Sequence, residues 1–212
     1  MKALSALAAA AAMLAVTPAF ADPATIVDFE GATSFSSIAD YYNGGTDSAG
    51  ASGSNLGVSF TGAALALSND ELGPYFSNAP TAGTVMFATD ATAVMNFAQG
   101  FVTDMSFYYS AASAALSAVT IYSGLNGTGA ILGTFDLAAN AQSGCNDTAF
   151  CNWQLASLAF SGIAQSASFG GNFGQVAFDN LTVTAVPEPQ AYAMMLLGLA
   201  GVAVAVRRRR KG

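Results

Sequence analysis

Between Asp22 and Val186, a stretch of 165 residues, there is no lysine, arginine or histidine. The chain's six basic residues are Lys2, Arg207, Arg208, Arg209, Arg210 and Lys211, while twelve of its 13 acids fall inside that stretch. The stretch therefore carries a formal charge of −12, against −7 for the whole chain. The first consequence is structural. A buried carboxylate ordinarily finds a cationic side chain, because an unpaired buried charge is very costly. Here a buried acid has three ways out: it takes up a proton, it is held by backbone N–H groups, or it binds a metal ion. The second consequence is functional. Neutralising phosphates requires basic side chains, so nucleic acid is excluded as a partner. Ser-His-Asp and Cys-His catalysis need an imidazole. Schiff-base chemistry needs a lysine, and histidine-ligated zinc cannot form. The chemistry left open belongs to carboxylates, as a glycosidase-like acid pair or a site for a hard cation such as calcium.

The same stretch is rich in Gly, Ala, Ser, Thr and Phe, and no long charged amphipathic helix appears in it. Short alternating runs bounded by Gly, Asn, Asp or Pro predict strands at 25–30, 56–61, 63–67, 84–88, 93–97, 102–110, 117–123, 130–137, 153–160, 164–169 and 175–185. Eleven short strands with turn signals between them predict an all-β domain, a β-sandwich or jelly roll. Leu125-Asn126-Gly127-Thr128-Gly129 has the composition of a hairpin loop.

Both ends of the chain look like delivery segments. Met1-Lys2, an apolar run over 3–16 and Ala19-Phe20-Ala21 have the layout of a signal peptide, so the mature chain is expected to begin at Asp22. The domain boundaries expected are then 1–21 for the signal peptide, 22–186 for the passenger and 187–212 for the tail. The tail contains Pro187-Glu188-Pro189, an uncharged run over 191–206 and the basic residues Arg207, Arg208, Arg209, Arg210 and Lys211. As a helix the 16-residue run is roughly 24 Å long. That is a little short of the ~30 Å hydrocarbon core, so it spans with some thinning of the bilayer. The five cations hold the C-terminus on the cytoplasmic side. On the physics alone this is a transmembrane helix with a basic stop, with a plain C-terminal anchor as the alternative reading.

Pro-Glu-Pro, an apolar helix and an arginine cluster together resemble the PEP-CTERM sorting signal of Gram-negative bacteria. The resemblance covers about an eighth of the chain. It implies recognition by exosortase, a membrane-embedded transpeptidase-like protease, with removal of the tail near the motif. It further implies an inner-membrane precursor, then placement at the cell surface or in the extracellular matrix, and an association with exopolysaccharide and biofilm.

The passenger also resembles others that carry this tail. The shared residues are Asp28-Phe29-Glu30-Gly31, Tyr41-Tyr42-Asn43-Gly44-Gly45, Gly57-Val58-Ser59-Phe60 and Phe178-Asp179-Asn180-Leu181-Thr182-Val183. The last pattern is similar to sandwich carbohydrate-binding modules, and that likeness implies a structural calcium held by acids on the first and last strands. Strand parity puts Asp179 on one face with Leu181 and Val183. It leaves open which face of the first strand carries Asp28 and Glu30. If Glu30 faces Asp179, two carboxylates meet with no base to relieve them, and a cation resolves the repulsion. Asp47 is the candidate third ligand. Solvent-exposed acids at strand ends are the alternative.

Two stretches read as loops that set aromatic rings among polar groups, the combination a sugar site uses. The stretch 41–55 holds Tyr41, Tyr42, four glycines, two asparagines and Asp47, and 69–80 holds Asp70, Glu71, Tyr75, Phe76 and Asn78. Tyr41, Tyr42 and Tyr75 are the candidate glycan contacts. The alternative is a surface loop folded on its own aromatics. Cys145 and Cys151 bracket five residues and, in an exported chain, are expected to form a disulfide. A redox-active pair would want a CxxC spacing or a basic neighbour, and neither is present.

These features point to a non-enzymatic surface or matrix protein, structural or carbohydrate-interacting, with exosortase and exopolysaccharide as partners and calcium as its stabilising ion. Two other classes remain open. A carboxylate-based glycan-degrading enzyme would need two acids facing each other across a cleft. A purely structural adhesin would need no small ligand.

Overall fold

The computed structural model describes residues 24–186 and, further along, residues 196, 198 and 199. The expected signal peptide, Pro187-Glu188-Pro189, the rest of the apolar run and Arg207 to Lys211 lie outside the described residues. Among the described residues no helix is long and apolar enough to cross a membrane.

The domain is all-β, as expected. Its ten strands are β1 (Ala24–Val27), β2 (Val58–Phe60), β3 (Ala64–Ser68), β4 (Thr84–Ala88), β5 (Val94–Ala111), β6 (Ala115–Tyr122), β7 (Ile131–Leu137), β8 (Gln154–Ala159), β9 (Ala164–Ser168) and β10 (Val176–Ala185). Ten replace the expected eleven because the runs at 93–97 and 102–110 are the two halves of β5. Their junction is Gly100, whose φ of +83° suits a residue without Cβ. There the register with β9 shifts between Asn96 and Phe101.

This long strand organises the fold. Its first half pairs with β2 and β9, and its second half with β10 and β8. The hydrogen-bonded path runs β3-β4-β10-β5-β9-β6-β7, with β1 on β10 and with β2 and β8 on β5. β5 thus passes from a group of strands built on β2, β9 and β6 into one built on β4, β10 and β8. Aromatic rings fill the space between the two groups. Phe107 of β5 packs on Phe178 of β10 with ring centroids 5.4 Å apart and on Phe135 of β7 at 4.7 Å, while Phe169, just past β9, lies 5.0 Å from Phe178. Each such buried ring contributes roughly 2–3 kcal/mol of apolar burial.

Two departures from simple alternation position the residues considered next. β1 ends at Val27, and Phe29 turns to a φ of +63°, so Glu30 lies in a turn rather than on a strand. In β10 the register shifts between Asp179 and Thr182, and Asn180 takes a φ of +48°, which is a β-bulge. Val176, Phe178, Leu181 and Val183 all face the main core, whereas Ala177 faces a smaller second core with Leu67, Phe76 and Val85. The bulge inverts parity, so Asp179 sides with Ala177 and not, as strict alternation predicts, with Leu181 and Val183.

Candidate functional site

The three acids singled out as calcium ligands have separate hosts. Asp47 is almost fully buried. Its Oδ2 accepts the Thr33 amide at 2.8 Å and its Oδ1 accepts the Ala49 and Ala51 amides, both at 2.9 Å. Burial pushes this carboxyl up, but the Thr33, Ala51 and Ala49 bonds outweigh it and hold the group below its ordinary value. Asp179 is completely enclosed. It accepts the Thr81 amide at 2.9 Å, the Thr81 hydroxyl at 2.7 Å and the Asn180 amide at 2.7 Å. Here burial dominates, with a further push from Glu30, and the carboxyl is raised despite these bonds. Glu30 Oε1 accepts the Gly83 and Thr84 amides at 2.9 and 3.1 Å.

Glu30 and Asp179 are therefore tied to one segment, 81–84, through backbone N–H groups. Glu30, Asp47 and Asp179 do not form a three-acid cluster among the described residues. Among the described residues, three Cys, Asp or Glu side chains come within 4.8 Å of one another only at Cys145, Asp147 and Cys151. Both sulfurs there are joined in a disulfide, the pairing the spacing predicted.

Tyr41 and Tyr42 are not glycan contacts. Both belong to the main core at 5% and 3% exposure, packed edge to face with centroids 4.8 Å apart. Their hydroxyls reach inward partners: Tyr41 donates to the Glu30 carbonyl at 3.1 Å and Tyr42 to Asp28 Oδ1 at 3.3 Å. Burial, and then the Asp28 carboxylate, raises the Tyr42 phenol well above its ordinary value. Gly53 permits this packing, since a Cβ there would stand 2.1 Å from the Tyr41 ring. Of the loop's four glycines, Gly53 is the one that lies against an aromatic ring.

Tyr75 is different. It is half-buried, and its ring meets Phe35 edge to face at 5.6 Å, while Phe35 in turn meets Phe87 at 6.3 Å. Phe35 is 52% exposed. It is presented there by backbone bonding of its segment along β3, Phe35 N to Ala66 O at 2.8 Å and Ile38 N to Ala64 O at 3.0 Å. Partial burial, and then the neighbouring Asp70 carboxylate, pushes the Tyr75 phenol up.

The loop carrying Tyr75 is held from within and from the side. Asn69 clamps it, accepting the Tyr75 and Phe76 amides at 2.8 and 3.2 Å and donating to the Phe76 carbonyl at 2.8 Å. The disulfide loop supports the outer side. The Ser77 amide donates to Phe150 O at 3.0 Å, Asn78 Nδ2 to Cys151 O at 3.1 Å and Trp153 Nε1 to Ser77 O at 2.9 Å. Between the two loops lies a concavity of about 510 Å³, lined among others by Phe76, Ser77, Asn78, Asp147 and Thr148.

Phe35, Phe87 and the adjacent pair Asp147-Thr148 were not legible as site residues. They come from three separate segments, and nothing in their local sequence marks them as parts of one surface. The only local signal was the aromatic and polar mixture of 69–80 itself.

Residues 185–210 match the PEP-CTERM protein-sorting motif. The match takes in Pro187, Glu188, Pro189, the apolar run and Arg207 to Arg210. No curated protein matches the chain. Among solved structures, the domain is similar to a family 6 carbohydrate-binding module at TM-score 0.41 and 14% identity, covering 76% of this chain and 94% of that one. It is also similar to the K2 cleaved adhesin domain of Lys-gingipain at TM-score 0.48 and 12% identity, covering 76% and 99%. A third likeness is to the C-terminal CBM6 of LamC, a laminarinase from Zobellia galactanivorans, at TM-score 0.38 and 11% identity, covering 76% and 99%. None of these three reaches a TM-score of 0.5, and none bears on the chemistry of the site.

Proposed function

We propose that the chain is a non-enzymatic protein, exported and sorted by exosortase to the cell surface or the extracellular matrix of a biofilm, where its β-domain engages a glycan. The sorting match supports the delivery. The glycan reading rests on one observation, the partly exposed edge-to-face ring pair of Phe35 and Tyr75, the latter carried by the loop whose Phe76, Ser77 and Asn78 line the concavity with Asp147 and Thr148. A pyranose ring has an apolar face that stacks on an aromatic ring and a polar rim that seeks hydrogen bonds, and this surface offers both. A hydrolase would need two carboxylates across the cleft. Asp147 is the one acid lining the concavity among the described residues, which favours binding over cleavage.

Affinity electrophoresis of the full-length chain in detergent, through gels containing the producing strain's exopolysaccharide, tests the proposal. Retardation that Tyr75→Ala abolishes is the expected result. Unretarded migration of the unsubstituted protein would leave the adhesin reading without a glycan ligand.

A further inference from the structure

Among the described residues, β1, β2, β3, β7 and β8 each pair with a single neighbouring strand. Four of these edges are protected. The β2 edge is covered by the segment before it, where the Ala39 and Tyr42 carbonyls accept the Phe60 and Val58 amides at 2.8 and 3.2 Å. The β3 edge is covered by 35–38, whose Phe35 and Ile38 amides donate to Ala66 O and Ala64 O at 2.8 and 3.0 Å. β1 is four residues long, and β7 carries Asp136 and breaks its register with β6 twice. Covering, shortness, charge and irregularity are the usual ways of blunting an edge.

β8 has none of them. It pairs with β5 in unbroken register, from Gln154 opposite Tyr109 to Ala159 opposite Asp104. The bond that follows, from Phe160 N to Thr103 O at 2.9 Å, fixes the alternation. Gln154, Ala156 and Leu158 bond to β5, while Leu155, Ser157 and Ala159 turn their N–H and C=O groups away from it. All three are exposed, Leu155 at 58%. No backbone partner meets them on that side among the described residues. The sequence around the strand, 148–178, holds no charged residue and no proline.

We infer that β8 is a self-association edge, onto which a second copy of this chain adds its own β8 antiparallel, making one sheet across two domains. A row of unpaired N–H and C=O groups takes an extended strand, and charge chooses whose. A basic partner finds no acid on β8 and is drawn instead to the twelve acids elsewhere in the domain. Two copies of a domain with charge −12 and no cation cannot set acid against base, so they meet where both are uncharged. Antiparallel pairing is two-fold, so the same edge matches itself. It also sends Asp104, opposite Ala159, to opposite ends of the seam in the two copies.

Sedimentation equilibrium of the full-length chain in density-matched detergent, over a wide range of protein concentrations, tests this. We expect a monomer–dimer equilibrium. Leu155→Asp should weaken it about tenfold, since like charges then stand close across the seam. Leu155 is already exposed, so the fold tolerates the change. Ser157→Pro, which removes an outward N–H, should weaken the dimer likewise. Ile131→Asp puts the same charge on β7, at a side chain 62% exposed, and should leave the equilibrium unchanged. A monomer at every concentration overturns the inference. So does a dimer that Leu155→Asp leaves intact, which would belong to the apolar tail or to another surface. Equal weakening by Ile131→Asp would be general repulsion, and it too overturns the assignment to β8.

Discussion

The segments 41–55 and 69–80 look alike in sequence, each a glycine- or proline-punctuated run that sets tyrosine among polar residues. In the structure they do opposite things. Tyr41 and Tyr42 turn inward, and Gly53 lets the backbone close over Tyr41. Tyr75 stays half-buried, at the margin of the second core, and joins Phe35 on the surface. The difference lies in what each loop is fastened to. The backbone around Tyr42 is bonded into the fold, its carbonyl accepting the Leu56 and Val58 amides at 2.8 and 3.2 Å. The 69–80 loop is fastened to itself by Asn69 and to a second loop by hydrogen bonds near the disulfide. Aromatic content alone therefore does not mark a binding loop; a loop held by its own polar residues keeps its rings available.

The largest effect that would break this contrast concerns the tyrosines. Tyr42→Ala should cost about 3–5 kcal/mol, as for other large buried aromatics, whereas Tyr75→Ala should shift the denaturation midpoint little. Urea titrations of both variants give the comparison, and similar losses would make 69–80 a core segment. Next comes the disulfide. Replacing Cys145 and Cys151 with serine opens a loop whose closure is worth about 2 kcal/mol. It should also weaken glycan binding, because Ser77 and Asn78 lose a rigid support; unchanged affinity in a destabilised variant would show that the support is not needed.

The two buried acids sharpen the comparison through pH. Asp47 has a lowered carboxyl, so its stabilisation is present above the ordinary carboxylate range and is lost as pH falls through its folded value. Asp47→Asn should cost about 1–2 kcal/mol near neutrality, since its new N–H₂ cannot accept the Thr33 amide, and the cost should shrink in acid. Asp179 has a raised carboxyl, so its contribution is present below the ordinary range and is lost as pH rises through the raised value. Asp179→Asn sets an NH2 against either the Thr81 or the Asn180 amide, so it should cost stability at every pH, with the smaller cost at pH 7 and the larger in acid. Melting curves from pH 3 to 8 check both signs, and parallel profiles would refute the contrast. The smallest expected effect is that of a chelator. With amides on Glu30, Asp47 and Asp179, melting should be unmoved by EDTA, and a clear drop would restore a metal to the acid sites.

Much of this domain was legible before its fold was known. Alternation located nearly every strand, and the five-residue spacing of Cys145 and Cys151 gave the disulfide. The face of Asp179 was not legible, because it relied on parity through Asn180, and a single bulged residue at positive φ reverses the face of everything before it. Nor could the 41–55 loop be told from the 69–80 loop, since burial depends on which distant strands cover a segment.

By itself the sequence determined that every buried acid in 22–186 would need a proton, amides or a metal, because it supplies no side-chain cation. It also determined that the 22–186 domain would be all-β, since period-two patterning and turn residues are local properties. Only the tertiary structure decided among the three ways out. Amides hold Asp47 ionised, while deeper enclosure and the nearby Glu30 raise Asp179 toward protonation even though Thr81 binds it. Thr81 lies 98 residues from Asp179 in the chain, and the energy of a buried charge is set by donors and neighbours that only folding brings together.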